Sequence, residues 1–132
     1  MATLTDEQRA FLRENAYAGV VTTLREDGSP HTTIVWADED GGDVVFNTAR
    51  GRAKDVNLTR DPRVSVLMVD PSDQYKWVSV SGRVQMTEDG ADAHIDHLAK
   101  KYLGAEEYPF RKPEETRVIV RIKPDHVDSA GF

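Results

Sequence analysis

The chain has 132 residues, of which 39% are hydrophobic and 30% charged, values typical of one globular domain covering 1–132. Its formal net charge of −6 leaves little electrostatic attraction for nucleic acid or for an anionic membrane. It contains no cysteine, which excludes disulfides and thiolate metal sites. The N-terminus lacks the basic segment and the apolar run of a signal peptide, so we expect a cytoplasmic protein.

The first half of the sequence predicts one helix and three short strands. Thr5 and Gln8 fit a capping box, so a helix should begin there and end near Asn15. The β-rich runs are 18–24, 31–37 and 44–46. Asp-Gly and Gly-Gly turn signals separate these runs, which predicts a hairpin that continues as a three-stranded meander.

The second half predicts longer strands and two more helices. A short helix should end at Asp61-Pro62, with Ala53, Val56 and Asn57 facing inward. The other predicted elements are a strand over 63–70, a strand over 75–86, a helix over 87–103, a loop over 105–115 and a strand over 116–123. The strand over 63–70 is apolar on both faces, which predicts cover on both sides.

Glycine and proline mark three boundaries in this half. Gly82 indicates a bulge or bend within the strand over 75–86. Gly104 is the expected C-cap of the last helix, and Pro124 should end the last strand. About six antiparallel strands with three peripheral helices indicate a mainly-β barrel of the α+β class and argue against a doubly wound parallel sheet.

The stretch 46–62 carries the clearest functional signal. Arg50, Arg52 and Lys54 follow a strand directly, at the point where a helix begins. Unpaired amides and the helix dipole make such a point a seat for an anion, and phosphate is the commonest occupant. The alternative is a solvated basic turn whose side chains pair with nearby acids, and this pattern alone does not separate the two.

No protein nucleophile or metal site is indicated. His94 and His97 are three residues apart on a predicted helix, but a third ligand is missing, and exposed helix residues are expected there. The sequence has no Gly-x-Ser-x-Gly elbow and no Walker or dinucleotide glycine fingerprint. No catalytic residue is therefore assigned, and any chemistry should come from a bound cofactor.

Polar and aromatic residues around the basic stretch suit a flat cofactor with a polyol chain. They are Thr32, Thr33, Asn47 and Thr48 as hydrogen-bonding groups, and Trp36, Tyr75 and Trp77 as flanks for a ring. Each is also an ordinary strand, core or interface residue. Their combination with the basic stretch is what favours a cofactor site.

Two motifs, GRAKDVNLTRDP at 51–62 and YLGAEEYP at 102–109, are the most specific parts of a resemblance that covers nearly the whole chain. The chain resembles the split-barrel flavin-binding proteins related to pyridoxamine 5′-phosphate oxidase, and within them the probable F-420-dependent group. This resemblance implies an FMN-binding split barrel. The chain ends in HVDSAGF and lacks the Arg- and Trp-containing terminal segment of true pyridoxamine phosphate oxidases, so pyridoxal phosphate synthesis is not expected.

The resemblance also implies a homodimer with two cofactor sites at the subunit interface. The phosphate would bind Arg52 and Lys54, with Arg50 and Asn57 as further candidates, and Asn47 and Thr48 would approach the ribityl chain. The strand along the ring system matches Thr32, Thr33, Ile34, Val35 and Trp36. A segment that reaches over from the partner matches Tyr75, Lys76 and Trp77.

The activity implied by the resemblance is that of an oxidoreductase dependent on coenzyme F-420, a deazaflavin, which passes hydride to a small unsaturated or quinone-like substrate. An FMN-dependent reductase of the same fold and a non-catalytic F-420 carrier are the alternatives. The acidic tail of F-420 would favour extra cations, and Arg50, Arg60 and Arg63 are available. His31 is a candidate proton donor to test, and the sequence does not identify the substrate.

Overall fold

One seven-stranded antiparallel sheet, curled into a half-barrel, carries three helices at its margins. The computed structural model describes residues 1–132. The strands are β1 Ala18–Leu24, β2 Pro30–Trp36, β3 Asp38–Asp40, β4 Asp43–Ala49, β5 Arg63–Asp70, β6 Asp73–Thr87 and β7 Arg117–Ala130. The helices are α1 Asp6–Glu14, α2 Ala53–Arg60 and α3 Ala91–Leu103. This confirms the predicted mainly-β architecture, and the short β3 is the strand that the prediction lacked.

The strand order is β2-β1-β5-β6-β7-β4-β3. The predicted hairpin of β1 and β2 is confirmed, with Ala18 opposite Trp36. The predicted meander is wrong, because β4 pairs with β3 and β7 and not with β2. The physical reason lies in β3, which forms its own tight hairpin with β4 through Gly41 and Gly42, both at positive φ. β4 therefore lies near the edge of the sheet that is opposite to β2.

Strands β6 and β7 form the longest ladder of the sheet, and it contains the predicted bulge. The register shifts between Ser81 and Gly82, which confirms that prediction. The prediction that the last strand ends before Pro124 is wrong, since β7 runs on to Ala130. Proline is tolerated there because it lies opposite Gly82 at the register shift, where the ladder is already interrupted.

The helix ends follow local capping chemistry. The capping box of α1 is confirmed, since the Thr5 amide donates to Gln8 Oε1 at 2.9 Å and the Gln8 amide donates to Thr5 Oγ1 at 3.1 Å. Helix α3 ends at Gly104 as predicted, but it begins at Ala91 and not at residue 87. Gly90 adopts a left-handed conformation with φ of 75° and acts as the N-cap.

Helix α2 presents a different face to the core from the one predicted. Ala53 and Val56 are exposed, whereas Asn57 is buried as predicted and Leu58 is buried beside it. The cause is Asp55, whose carboxylate accepts from the Gly51 amide at 2.8 Å and so turns its own side of the helix inward. Side chain bonding at the N-terminus thus sets the rotation of this short helix.

The core lies on the concave face of the sheet, under α1 and α2. On β5 the side chains of Val64, Val66 and Met68 are buried there. Leu67 and Val69 on the opposite face are only half-buried, so the chain by itself does not give β5 the predicted cover on both sides. None of the helices is long and apolar enough to cross a membrane.

Candidate cofactor site

A cleft of about 240 Å³ opens between the strands β2 and β4, next to the N-terminus of α2; we call it the β2–β4 cleft. Its lining residues are Ile34, Val35, Trp36, Asn47, Thr48, Arg52, Lys54, Ile95, Leu98, Tyr108, Phe110 and Arg117. Five elements therefore contribute, namely β2, β4, the start of α2, α3 and β7, together with the loop after α3. The first seven of these residues are ones that the sequence predicted.

Positive charge collects on one wall of this cleft. Lys54 is half-buried, and its Nζ donates to Thr33 Oγ1 at 3.2 Å without a carboxylate partner. Burial, and then the positive charge of Arg52, lower the pKa of Lys54 below its ordinary value. An ammonium group in this position is destabilised until an anion approaches it.

The two arginines of the cleft share a single acid. Arg52 Nη2 lies 2.6 Å from Glu115 Oε2, and Arg117 Nη2 lies 3.2 Å from Glu115 Oε1. Glu115 therefore neutralises only one of three positive charges, counting Lys54. In a chain of net charge −6 this wall is locally positive, which suits an anionic ligand.

The N-terminus of α2 lies at the same wall, because Arg52 and Lys54 both line the cleft. Arg52 is the N-cap residue, and its side chain makes no cap hydrogen bond. The first-turn amides of a helix have no partner within it and lie at the positive end of its dipole. Arg52 and Lys54, which both line the cleft, lie at this end of the helix, and such a position suits a phosphate.

Two buried polar atoms near this wall have no hydrogen-bond partner. They are Oδ1 of Asn47 and Oγ1 of Thr48, both on β4. Most buried polar atoms in proteins are paired, so an unpaired one calls for an explanation. A ligand carrying hydroxyl or N–H groups in the β2–β4 cleft would supply the missing partners.

Aromatic side chains line the cleft beside these charges. The Trp36 ring stacks on Tyr102 with centroids 5.6 Å apart, and it meets the edge of Tyr108 at 6.0 Å. The guanidinium of Arg117 lies over Tyr108, 4.7 Å from the ring centroid. Ile34 and Phe110 form the rim and are 62% and 61% exposed. A flat ring system can lie against such a surface.

Comparison with known proteins agrees with the observed fold. The family model described as pyridoxamine 5′-phosphate oxidase matches residues 4–130. The chain belongs to this family. It is 31% identical over 127 residues to a biliverdin reductase of Mycobacterium tuberculosis that depends on reduced F-420, with 94% of this chain and 86% of that protein covered.

Solved structures extend the likeness. One named F-420 reductase superimposes with a TM-score of 0.79 at 26% identity, covering 94% of this chain and 98% of its own. General stress protein 26 of Bacillus anthracis has a TM-score of 0.67 at 21% identity, with 94% and 92% covered, and shows the shared fold alone. The chain is thus homologous to F-420-dependent reductases and has the split-barrel fold of the oxidase family.

Several predicted cofactor residues of this family member lie outside the β2–β4 cleft. Arg50 is paired with Asp55 at 2.8 Å and with Glu88 at 3.0 Å. Asn57 is buried and donates to Thr23 Oγ1 at 3.0 Å. Thr33 reaches the cleft only through its bond to Lys54. The basic stretch therefore divides, with Arg52 and Lys54 at the cleft and Arg50 held by acids.

The outer face of the sheet holds most of the others. Thr32 lies there and bonds to Thr22 across the β1–β2 ladder at 3.0 Å. Trp77 lines a separate groove on the same face, and Tyr75 is 74% exposed. Lys76 Nζ lies 5.0 Å from the centroid of the Phe132 ring. In the single chain, Tyr75 and Trp77 therefore do not line the same cleft as Trp36.

The three arginines suggested for the acidic tail of F-420 each have a hydrogen-bonding partner within the chain. Arg63 pairs with Asp61 at 2.8 Å, and Arg60 donates to the Leu24 carbonyl. With Arg50 also paired, none of the three lines the β2–β4 cleft. His31 does not line it either, although its Nδ1 is buried without a partner.

Sequence reasoning missed five residues of the cleft. Ile95 and Leu98 carried no signal beyond the helical apolar pattern of α3. Tyr108 and Phe110 lie in and directly after the YLGAEEYP motif, which was the available signal for them. Arg117 had none, because it only precedes the apolar run of Val118, Ile119 and Val120 at the start of β7. Its guanidinium is nevertheless buried, and it bonds to Tyr108 as well as to Glu115.

The two histidines of α3 differ in environment. His97 is exposed as expected, and its Nε2 lies 3.2 Å from Asp38. His94 is half-buried, so the expectation of an exposed residue is wrong for it. Its Nδ1 contacts the amide of Asn47 at 3.1 Å. No group of three or more potential metal ligands occurs in the structure.

Proposed function

We propose that this protein is an F-420-dependent oxidoreductase that transfers hydride to a small unsaturated or quinone-like substrate. The observation that carries the proposal is the half-buried ammonium of Lys54, which has no carboxylate partner and lies beside Arg52 at the N-terminus of α2. This arrangement suits the phosphate that both F-420 and FMN carry. The homologous F-420-dependent reductases support the choice of cofactor.

In this proposal, different residues of the β2–β4 cleft bind different parts of the cofactor. Arg52 and Lys54 would hold the phosphate, and the unpaired atoms of Asn47 and Thr48 would bond to the polyol chain. Ile34, Val35 and Trp36 would lie along the ring system. When bound, the reduced deazaflavin supplies the hydride. The protein supplies position, which is worth several kcal/mol for a well-oriented acceptor.

FMN is the second candidate cofactor, and one observation favours keeping it. Arg50, Arg60 and Arg63, the cations available for the acidic tail of F-420, are each engaged within the subunit. Parallel titrations with F-420 and FMN, followed by fluorescence, separate the two. A dissociation constant at least ten times lower for F-420 supports the proposal, and the reverse order supports an FMN enzyme.

Turnover separates an enzyme from a carrier that only binds F-420. We expect bound reduced F-420 to be oxidised by at least one acceptor in a panel of quinones, enones and tetrapyrroles. Stopped-flow absorbance of the oxidised deazaflavin measures this, with the free cofactor and the same acceptor as the control. Tight binding with no acceleration over the free cofactor for any acceptor would favour the carrier.

We also propose that the protein is a homodimer whose partner subunit completes each cofactor site. The β2–β4 cleft of about 240 Å³ is smaller than the roughly 300–1,000 Å³ of usual ligand sites. Moreover, Leu67, Val69 and Trp77 line a groove on the outer sheet face, where the apolar pattern of β5 calls for cover.

Sedimentation analysis tests the dimer. The molar mass of the wild type from sedimentation equilibrium should be twice the 14.8 kDa of one chain. Leu67→Asp places a charge on the outer face without touching the concave core, and it should give a folded monomer with weaker cofactor binding. A wild type that remains monomeric at all concentrations would contradict this proposal and leave the single-subunit cleft as the whole site.

A further inference from the structure

The amide of Asn47 is held between α3 and the β2–β4 cleft in one orientation. Its Nδ2 donates to the main-chain oxygen of Ala91 at 3.0 Å and contacts Nδ1 of His94 at 3.1 Å. A main-chain carbonyl can only accept, so the NH₂ group must face Ala91. The orientation therefore follows from the chemistry of the partners and does not depend on how the amide atoms are assigned. Oδ1 must then lie on the other side.

The same bond decides the tautomer of His94. Because Nδ2 of Asn47 donates, Nδ1 of His94 must accept, and the neutral ring carries its proton on Nε2, which is buried without a hydrogen-bond partner. Burial lowers the pKa of His94 to about 4, despite nearby Asp38 and Asp40, so the ring is neutral near pH 7. His94 therefore offers Asn47 an acceptor throughout the physiological range.

We propose that His94 is a positioning residue, which together with the Ala91 carbonyl holds the Asn47 amide so that its buried Oδ1 can only accept a hydrogen bond from the ligand of the β2–β4 cleft. The inference rests on the proposed function, and it adds the ligand chemistry that this position selects. A hydroxyl of a polyol chain or a ring N–H satisfies Oδ1, whereas a carbonyl or ether oxygen leaves two acceptors facing each other.

Two substitutions of His94 separate positioning from packing. His94→Gln retains a side-chain oxygen that can accept from Asn47, whereas His94→Leu keeps apolar bulk and removes the acceptor. We expect FMN or F-420 affinity to fall about tenfold in His94→Leu, the usual size of one lost hydrogen bond, and to stay within about threefold of wild type in His94→Gln. His97→Leu is the matched control, because His97 is on the same helix and contacts Asp38 instead of Asn47.

A second readout needs no cofactor. Nitrogen-15 NMR of the histidine rings in the ligand-free protein should show His94 as the Nε2–H tautomer near pH 7, with thermal unfolding as the check that both variants fold. An Nδ1–H tautomer, or equal losses of affinity in the Gln and Leu variants, would overturn the inference.

The outcome also distinguishes the inference from the proposed function. If wild type binds the cofactor and His94→Leu binds it equally well, only the role of His94 fails. If wild type binds neither FMN nor F-420, the proposed function fails and the role of His94 fails with it.

Discussion

Replacing both Arg52 and Lys54 by alanine is expected to weaken the binding of F-420 and FMN by more than about 100-fold. Each side chain would make a charge-assisted bond to the phosphate, worth about 1.5–3 kcal/mol, so each single variant should lose about tenfold or more. Equilibrium fluorescence titration at fixed ionic strength measures these constants. The affinity of wild type should also fall with added salt.

Arg63→Ala is the matched control for the lost charge. Arg63 is exposed and paired with Asp61, outside the β2–β4 cleft, so its removal changes net charge as much as either single variant and should leave FMN affinity within about twofold. An equal loss in Arg63→Ala would show a general charge effect. Unchanged affinity in both Arg52→Ala and Lys54→Ala would refute the phosphate assignment.

The stability of Lys54→Met addresses the alternative of a solvated basic turn. Methionine keeps most of the apolar stem and removes the ammonium group. Since Lys54 is half-buried and has no carboxylate partner, the ligand-free variant should unfold at the same urea concentration as wild type or a higher one. A clear loss of stability would instead indicate a structural role.

Gly82→Ala is expected to destabilise the fold by about 3 kcal/mol or more, at the upper end of overpacking costs. A β-carbon at Gly82 would lie 1.9 Å from the main-chain oxygen of Lys123 and 2.9 Å from its carbonyl carbon. These are backbone atoms of the neighbouring β7 strand, so relief requires the β6–β7 ladder to separate. Urea unfolding followed by circular dichroism measures the loss.

Gly90→Ala provides the comparison for Gly82→Ala. Gly90 has a positive φ of 75°, but a β-carbon there would meet nothing within 4 Å. Its substitution should therefore cost only the backbone penalty of about 1–2 kcal/mol. Similar losses in the two variants would mean that the close approach at Gly82 does not matter for stability.

Several features could be predicted because their causes are local. The capping box of Thr5 and Gln8, the β1–β2 hairpin and the helix end at Gly104 each depend on residues close together in the sequence. The resemblance carried by residues 51–62 also led to the cleft side chains of Arg52 and Lys54. Such signals are present in the sequence before any long-range contact forms.

Other features depended on contacts between distant parts of the chain. Pairing of β4 with β7 joins segments more than 60 residues apart, and Pro124 remains within a strand only because Gly82 lies opposite it. The same pairing places Arg117 and Tyr108 at the cleft. The residues next to them in the sequence do not predict which distant strand they will pair with.

The sequence by itself determined the mainly-β fold class and the placing of three basic residues at the start of a helix. Only the tertiary structure decided which of them line the β2–β4 cleft: Arg52, although paired with Glu115, and Lys54 do so, and Arg50 does not. Asp55 and Glu88 neutralise Arg50, whereas the ammonium group of Lys54 donates only to the hydroxyl of Thr33 on β2. The physical reason is that charge pairing depends on distance in space, and Glu88 comes within 3.0 Å of Arg50 only after the chain has folded.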